Sequence, residues 1–390
     1  MAAKRILVSS SYTLHNKVSL IRGGAEYFAV LESMISQARE IIHLQTYIFD
    51  DDVTGRKIID ALSHAVKRGV KVFLLVDAYA SSDLSEKFAT DLKSLGIHFR
   101  RFMPFFKNRN FYFGRRMHHK IVVCDAKYSL VSGLNISDKY NDLPGRPAWL
   151  DWAIYAEGQV SWELFKVCTI TWYRSSRYSL QVMKQYTRAK WPDLNCAVRV
   201  RRNDWVRGHN QITKSYLEMF MNAQEEIIIM SSYFLPGRVM RRNMAKASAR
   251  GVKCRLILAN KSDVSIAKNA ERFIYRWMLR NGFEIYEYPK RILHGKISTF
   301  DGRWVTAGSY NVNNISAFAS VELNLDVDDR NFAESVRDTL NKIIPECELV
   351  TDEVYSVKYH FFERMIQALS YELIRLIFFI FTFYFKQKRS

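Results

Sequence analysis

Cysteine is scarce and scattered in this chain of 390 residues: Cys124, Cys168, Cys196, Cys254 and Cys347 form no C-x-x-C pair and leave an odd count. A disulfide framework and a zinc ribbon are thereby excluded, and a reducing, cytoplasmic setting fits. With 7 Pro and 16 Gly the chain is neither collagen-like nor dominated by linkers. No long run of Lys or Arg occurs, so its charge does not come from a disordered basic tail. The first 300 residues hold no stretch of about 18 uninterrupted apolar residues, which excludes a membrane span there. The N-terminal MAAKRILVSSSYTLHNK lacks an apolar core of signal-peptide length, so the protein is expected to stay inside the cell. No Asp/Glu cluster with magnesium spacing and no H-E-x-x-H appears, so neither a metal nor another cofactor is expected.

What is present is a globular composition, 48% hydrophobic and 25% charged, with 58 Lys+Arg against 39 Asp+Glu and a net charge of +19. The length suits two domains, or one large fold made of two halves. The charge calls for a partner of opposite sign: nucleic acid, an anionic membrane surface or a phosphorylated substrate.

The chain also repeats itself. Segment 38–49, AREIIHLQTYIF, is followed by a helix-like stretch and then KRGVKVFLLVD at 67–77; segment 223–234, AQEEIIIMSSYF, is followed likewise by ARGVKCRLILA at 249–259. Short β-branched runs alternating with helical stretches predict an α/β layered sheet. A second pair follows, MHHKIVVCDAKYSLVSGLN at 117–135 and LHGKISTFDGRWVTAGSYN at 293–311. His118 to His294 and Asn135 to Asn311 are both offsets of 176, whereas Tyr47 to Tyr233 is 186 and Gly69 to Gly251 is 182. The first half is therefore the longer by 10 residues between its Tyr and its His. The expected organisation is a first half over 1–180, a connecting segment over 181–203 with Pro192 and many charges, a second half over 204–350, and a C-terminal segment over 351–390.

Both halves contain H-x-K-x-x-x-x-D: His118, Lys120 and Asp125, then His294, Lys296 and Asp301. One match arises by chance in roughly one chain in thirty of this length. Two matches, each after a similar strand–helix–strand stretch and each with an Asn 17 residues beyond the His, are a different matter. In a strand, residues i and i+2 share a face, so each His projects beside its Lys. His118 and His119 point to opposite faces by the same rule and make no metal-ligand pair. A small-residue turn carrying Asn135 or Asn311 offers donors to an oxyanion. Two His, two Lys and two Asn joined by a pseudo-twofold suit a phosphodiester: one imidazole attacks phosphorus, the other protonates the leaving alcohol, and the cations offset charge on the non-bridging oxygens.

This duplicated motif resembles the phospholipase D superfamily. The stretches QTYIFDDDVTG at 45–55, SYFLPG at 232–237 and YEYPKRILHGKI at 286–297 are similar to its bacterial cardiolipin synthase branch, of the shorter, peripherally bound type. The likeness runs from about residue 18 to residue 330. It implies a duplicated fold, one α/β sandwich per half, with the active site where the halves meet. It carries His118, Lys120, Asn135, His294, Lys296 and Asn311 into catalytic and phosphate-binding roles, and makes Asp125 and Asp301 structural partners. An acidic residue beyond each motif usually orients the His in such proteins; Glu322 fits that role, with Asp151 the second choice in the first half. S-G-L-N stands where G-S-x-N or G-G-x-N is more usual, so Ser132 is not expected to do what Ser309 does.

Lipid is favoured over nucleic acid by two features. Between residues 100 and 116, Arg100, Arg101, Lys107, Arg109, Arg115 and Arg116 are interleaved with aromatics and no acid, which suits an anionic bilayer surface. The segment 376–385, LIFFIFTFYF, is closed by KQKRS; with Gln367, Glu372 and Arg375 before it, 366–385 reads as an interfacial or shallowly inserted helix. The resemblance therefore implies a membrane-associated phosphatidyltransferase on the cytoplasmic side of a bacterial membrane, taking phosphatidylglycerol or a similar phospholipid and making cardiolipin. His118 is the expected nucleophile and His294 the acid then base, although near-equivalent motifs leave the reverse open. Transfer to water, giving phosphatidic acid, and nucleic-acid phosphodiester cleavage are the alternatives. Nothing in the chain specifies an oligomeric state.

Overall fold

The computed structural model describes residues 10–103, 115–313 and 320–387. Its first half supplies β1 (Asn16–Arg22), β2 (Ile41–Thr46), β3 (Lys71–Asp77), β4 (His98–Phe102), the two-residue β5 (Arg116–Met117), β6 (Lys120–Cys124), β7 (Tyr128–Ser132) and β8 (Trp152–Gly158). Seven of these form one sheet in the order β1-β8-β7-β6-β2-β3-β4. The second half supplies β9 (Ala197–Asp204), β10 (His209–Asn210), β11 (Glu226–Ser231), β12 (Lys253–Ala259), β13 (Glu284–Tyr288), β14 (Lys296–Phe300), β15 (Trp304–Gly308), β16 (Ser320–Asp328) and β17 (Glu348–Val350). Their order is β10-β9-β16-β15-β14-β11-β12-β13-β17, which repeats the first sheet once the short edge strands β10 and β17 are set aside. In each sheet three strands run parallel through crossover helices, β2-β3-β4 and β11-β12-β13, and the remainder are antiparallel. The fold is thus a duplicated α/β architecture.

β9 takes the place in the second sheet that β1 has in the first, so this sheet begins inside the segment 181–203 that reads from sequence as a connection. Its alternation of Val and Arg looks like a charged linker. In the fold Val198 and Val200 are buried, while Arg199 and Arg201 pair with Asp326 and Glu218 at 2.9 and 3.0 Å.

The strands are buried on both faces, as near-continuous apolar runs require. Ile121, Val123 and Ile154 of the first half join Ile228, Ile297 and Leu325 of the second in one shared core, with helices Gln159–Tyr173 and Arg330–Ile343 packed into it. The alternate residues Val122 and Cys124 face an outer core with Leu31 and Ile58; Ile227 and Ile229 face another with Met219 and Phe220. The motif aspartates close the turns after β6 and β14 with left-handed backbones, φ 53° at Asp125 and 49° at Asp301. Asp125 accepts the backbone N–H groups of Arg39, Glu40 and Ile41 at 2.8–3.0 Å, and Asp301 those of Gln224, Glu225 and Glu226 at the same range. Each carboxylate anchors the start of its central strand, β2 or β11.

The C-terminal helix Phe361–Gln387 docks on the second half along helix Ser265–Phe273. Tyr371 packs on Phe273 with ring centroids 4.8 Å apart, and buried Gln367 accepts the Tyr355 hydroxyl at 2.7 Å. Its other face leaves Phe361, Phe362, Leu369, Leu373 and Leu376 exposed, while Glu372 and Arg375 pair with each other. Among the described residues no helix is long and apolar enough to cross a membrane. Of the basic stretch over 100–116, the four described residues are engaged within the fold: Arg100 with the Trp172 carbonyl, Arg101 with Glu86, Arg115 with Asp204 and Arg116 beside Asp77. Lys107, Arg109 and the aromatics Phe105, Phe106, Phe111, Tyr112 and Phe113 lie outside the described residues, as do Lys388 and Arg389.

The three-fold acceptor role of the motif aspartates predicts that Asp301→Ala destabilises the protein by about 3 kcal/mol in urea unfolding, since three backbone donors lose a charged acceptor. Asp301→Asn should recover part of that loss, because its amide oxygen still accepts.

Candidate active site

Each motif histidine is fixed by backbone from the opposite half. β5 pairs in parallel with the start of β16, and the N–H groups of His118 and His119 both donate to the Val321 carbonyl at 3.0 Å. Symmetrically, the N–H groups of His294 and Gly295 donate to the Leu150 carbonyl at 2.7 and 2.9 Å. The residue after each of these carbonyls is an acid. Glu322 lies 3.0 Å from His118 Nδ1 through Oε2, and Asp151 lies 2.7 Å from His294 Nδ1 through Oδ2. Both acids named from sequence are therefore present at the site, each bonded to the imidazole of the other half. With Nδ1 engaged, each ring has Nε2 for chemistry. His119 turns away and bonds Gln45 at 2.9 Å, as alternation along a strand requires.

The lysines are buried beside the imidazoles. Lys120 Nζ donates to the His118 carbonyl at 2.6 Å; Lys296 donates to the His294 carbonyl and lies 3.1 and 3.3 Å from the two ring nitrogens. Burial pushes Lys120 down to about 7 despite the pull of Glu322, and lowers Lys296 as well. Both imidazoles are pushed down by burial, and each also feels the lysine of the opposite half. That mutual influence draws the two motifs into one electrostatic site.

The acids differ. Burial pushes Asp151 up to about 7. Burial acts on Glu322 too, but His118, Lys120 and the Ser309 hydroxyl outweigh it and hold this acid down to about 2. Ser309 donates to Glu322 at 2.5 Å, and Ser320 donates at 2.6 Å. The first-half equivalent of Ser309, 176 residues earlier, is Gly133, which has no hydroxyl to give. A Cβ there would meet the Asp151 carboxylate at 2.5 Å, so the shorter turn residue is required where the acid comes this close. Ser132 donates instead to the Leu134 carbonyl at 3.4 Å.

The asparagines stand behind the lysines with part of their capacity committed. Asn135 accepts the Ile48 N–H at 3.0 Å and donates to the Tyr140 hydroxyl at 2.8 Å; Asn311 accepts the Ser232 hydroxyl at 2.7 Å. Several neighbours escape the sequence reading. Tyr47 meets the His118 ring edge-on at 4.7 Å, and Tyr140 and Trp149 meet the His294 ring at 5.2 and 5.8 Å. Asp77 accepts the Met117 N–H at 2.8 Å and so steadies β5, and Tyr233 donates to Asp263. Only Tyr47 and Tyr233 carry a sequence signal, their place in the repeat; Tyr140, Trp149 and Asp77 have no counterpart at the matching offset. Among the described residues no group of three His, Cys, Asp or Glu side chains is placed to hold a metal ion.

Comparison with known proteins gives a matching answer. A family model for the cardiolipin synthase, phospholipase D-like domain matches twice, at residues 31–144 and 216–344. Cardiolipin synthase B of Shigella flexneri is 32% identical over 366 residues, covering 92% of this chain and 88% of that one. Cardiolipin synthase B of Salmonella typhimurium is 34% identical over 345 residues, covering 87% and 83%. The crystal structure of phosphatidylserine synthase from Haemophilus influenzae Rd KW20 superposes with a TM-score of 0.70 over 95% of this chain and 96% of that one, at 14% identity, and shares the fold.

The burial of Lys120 and Asp151 generates a proton signature. At pH 8 both sites, at about 7 in the empty protein, are largely deprotonated. A phosphodiester anion beside them favours the protonated form of each. Dimethyl phosphate, which has no proton of its own near neutrality, should therefore bind with net proton uptake at pH 8 and with less at pH 6, where both groups already hold their protons. Calorimetry in buffers of different ionisation heat measures this; binding at pH 8 without uptake would contradict the electrostatics described.

Proposed function

The chain belongs to the cardiolipin synthase family, with its phospholipase D-like domain present twice, and on that premise we propose that it is a phosphatidyltransferase making cardiolipin from phosphatidylglycerol through a phosphohistidine. The observation that carries the reading is the pair of imidazoles whose Nδ1 atoms are each held by an acid of the other half, beside two buried lysines. Such pairs leave Nε2 of one ring to attack and Nε2 of the other to move a proton.

In the proposed sequence, His118 Nε2 forms a bond to phosphorus of the first phosphatidylglycerol, and the phosphorus–oxygen bond to its free glycerol breaks. His294 Nε2 gives that glycerol oxygen a proton. A second phosphatidylglycerol then enters, its terminal hydroxyl returns a proton to His294, and its oxygen displaces His118 to yield cardiolipin. Lys120 and Lys296 stabilise charge on the non-bridging oxygens, with the uncommitted amide hydrogens of Asn135 and Asn311 beside them. The unequal acids support this direction. Asp151, at about 7 and 2.7 Å from His294 Nδ1, lets the Asp151–His294 pair keep a proton near neutrality, and the anion of an entering phosphodiester favours that protonated pair, making His294 the acid. Glu322 stays ionised, accepts the Nδ1 proton of His118 and keeps that ring in the tautomer with a free Nε2 lone pair.

Contact with an anionic membrane belongs to the same reading. It is supported by the apolar face that the helix Phe361–Gln387 leaves uncovered at Phe361, Phe362, Leu369, Leu373 and Leu376.

Product analysis by mass spectrometry tests the reaction. Protein incubated with phosphatidylglycerol vesicles and a chelator should yield cardiolipin and free glycerol. Phosphatidic acid alone would make it a hydrolase, and no lipid product would remove the reading. His118→Ala and His294→Ala should each fall below a few per cent of wild-type turnover while still sedimenting with anionic vesicles. Leu369→Asp combined with Leu373→Asp should do the reverse, reducing co-sedimentation at least tenfold with the folded site intact; unchanged co-sedimentation would detach this helix from membrane binding.

A further inference from the structure

Behind the His118 strand lies a second cationic site. It opens on the face of the β5–β16 pairing opposite the imidazole: His119 and Val321 line it, whereas their chain neighbours His118 and Glu322 face the candidate active site. The cavity measures about 100 Å³. That is several times the ~30 Å³ share of one water and gives room for a phosphate group.

Four guanidinium groups converge there, from Arg115, Arg174, Arg202 and Arg207; Asp204 is the acid in the lining, and Glu163, paired with Lys166, also acts on Arg202 from outside it. Arg115 forks onto Asp204 through Nε and Nη2 at 3.2 and 2.7 Å, and Arg207 Nε approaches the same carboxylate at 3.8 Å. Arg115 and Arg174 both lie over the Phe102 ring, 5.5 Å from its centroid. The guanidinium groups of Arg174 and Arg202 make no hydrogen bond or ion pair with any described residue. Burial lowers the affinity of Arg174 for its proton, and repulsion from Arg100, Arg115 and Arg207 adds to it.

Elsewhere on the same strand, β9, the protein handles arginine differently. Arg199 and Arg201 are matched by two acids, Asp326 and Glu218, with contacts at 2.9 and 3.0 Å. Arg202 is partly buried and Arg174 and Arg207 reach solvent at the rim, and a fork of Arg donors matches the oxygens of a phosphate in geometry as well as charge.

We propose that this cavity is a second anion site, taking a phosphate group on Arg174, Arg202 and Arg207 while Asp204 holds Arg115 in place. The proposal does not rest on the catalytic reading. The phosphate group can belong to the headgroup of an anionic lipid or be free in solution, and two probes separate these sources.

The test uses the full chain in a His118→Ala background, so that no lipid is turned over. Inorganic phosphate, and separately dihexanoyl phosphatidylglycerol below its micelle concentration, are titrated by calorimetry at constant ionic strength. Arg174 and Arg207 are exposed, so Arg174→Gln combined with Arg207→Gln should leave the fold intact, as circular dichroism would verify. The expected result is that the double variant loses one equivalent of bound probe per chain, or binds it at least tenfold more weakly, and the probe with the tighter lost equivalent names the source. Isotherms unchanged by the two substitutions with both probes would overturn the proposal.

Discussion

Two acid–imidazole contacts that cross between the halves hold this site together. His118 depends on Glu322 and His294 on Asp151, and each acid follows a carbonyl, Val321 or Leu150, that fixes the backbone of the same histidine. Neither half can complete its own histidine. The shared core of Ile121, Ile154, Ile228, Ile297 and Leu325 is therefore a functional requirement as well as a source of stability, because it sets the register in which these crossed pairs meet. Strain or slippage between the halves would disconnect both imidazoles at once.

Symmetry of fold does not extend to symmetry of charge. The strand order repeats, yet Ser309 and Ser320 give hydroxyls to Glu322 while Gly133 gives none to Asp151. Burial pushes Asp151 up to about 7, whereas at Glu322 burial is outweighed by His118 and Lys120, with the Ser309 hydroxyl added, and that acid is held down to about 2. Two environments that push paired acids apart are how a site distinguishes a group that keeps its charge from one that carries a proton. The turn position that is Ser309 in one repeat and Gly133 in the other adds to this difference.

The same contrast between matched and unmatched charge recurs elsewhere. Asp125 and Asp301 each satisfy three backbone donors and stabilise the start of a central strand. Arg199 and Arg201 have their acids. At the arginines around Asp204 guanidinium groups outnumber the carboxylates in contact with them, which is where an anion would be expected to enter.

The sequence by itself determined the duplication, the α/β class and the six polar residues of the two motifs, because local periodicity and fixed spacing are properties of the chain. The offset of 176 aligns Gly133 with Ser309 without any structure. It could not reveal that β9, with arginines alternating along it, is a strand, because Arg199 and Arg201 look solvated until Asp326 and Glu218 are brought to them. Nor could it reveal that Gln367, which reads as a polar interruption in a membrane-contact segment, is buried against Tyr355. Tertiary structure alone decided which acid serves which histidine. Glu322 is 204 residues from His118 and Asp151 is 143 from His294, and contacts at such separations are set by how two sheets pack, which no local pattern encodes.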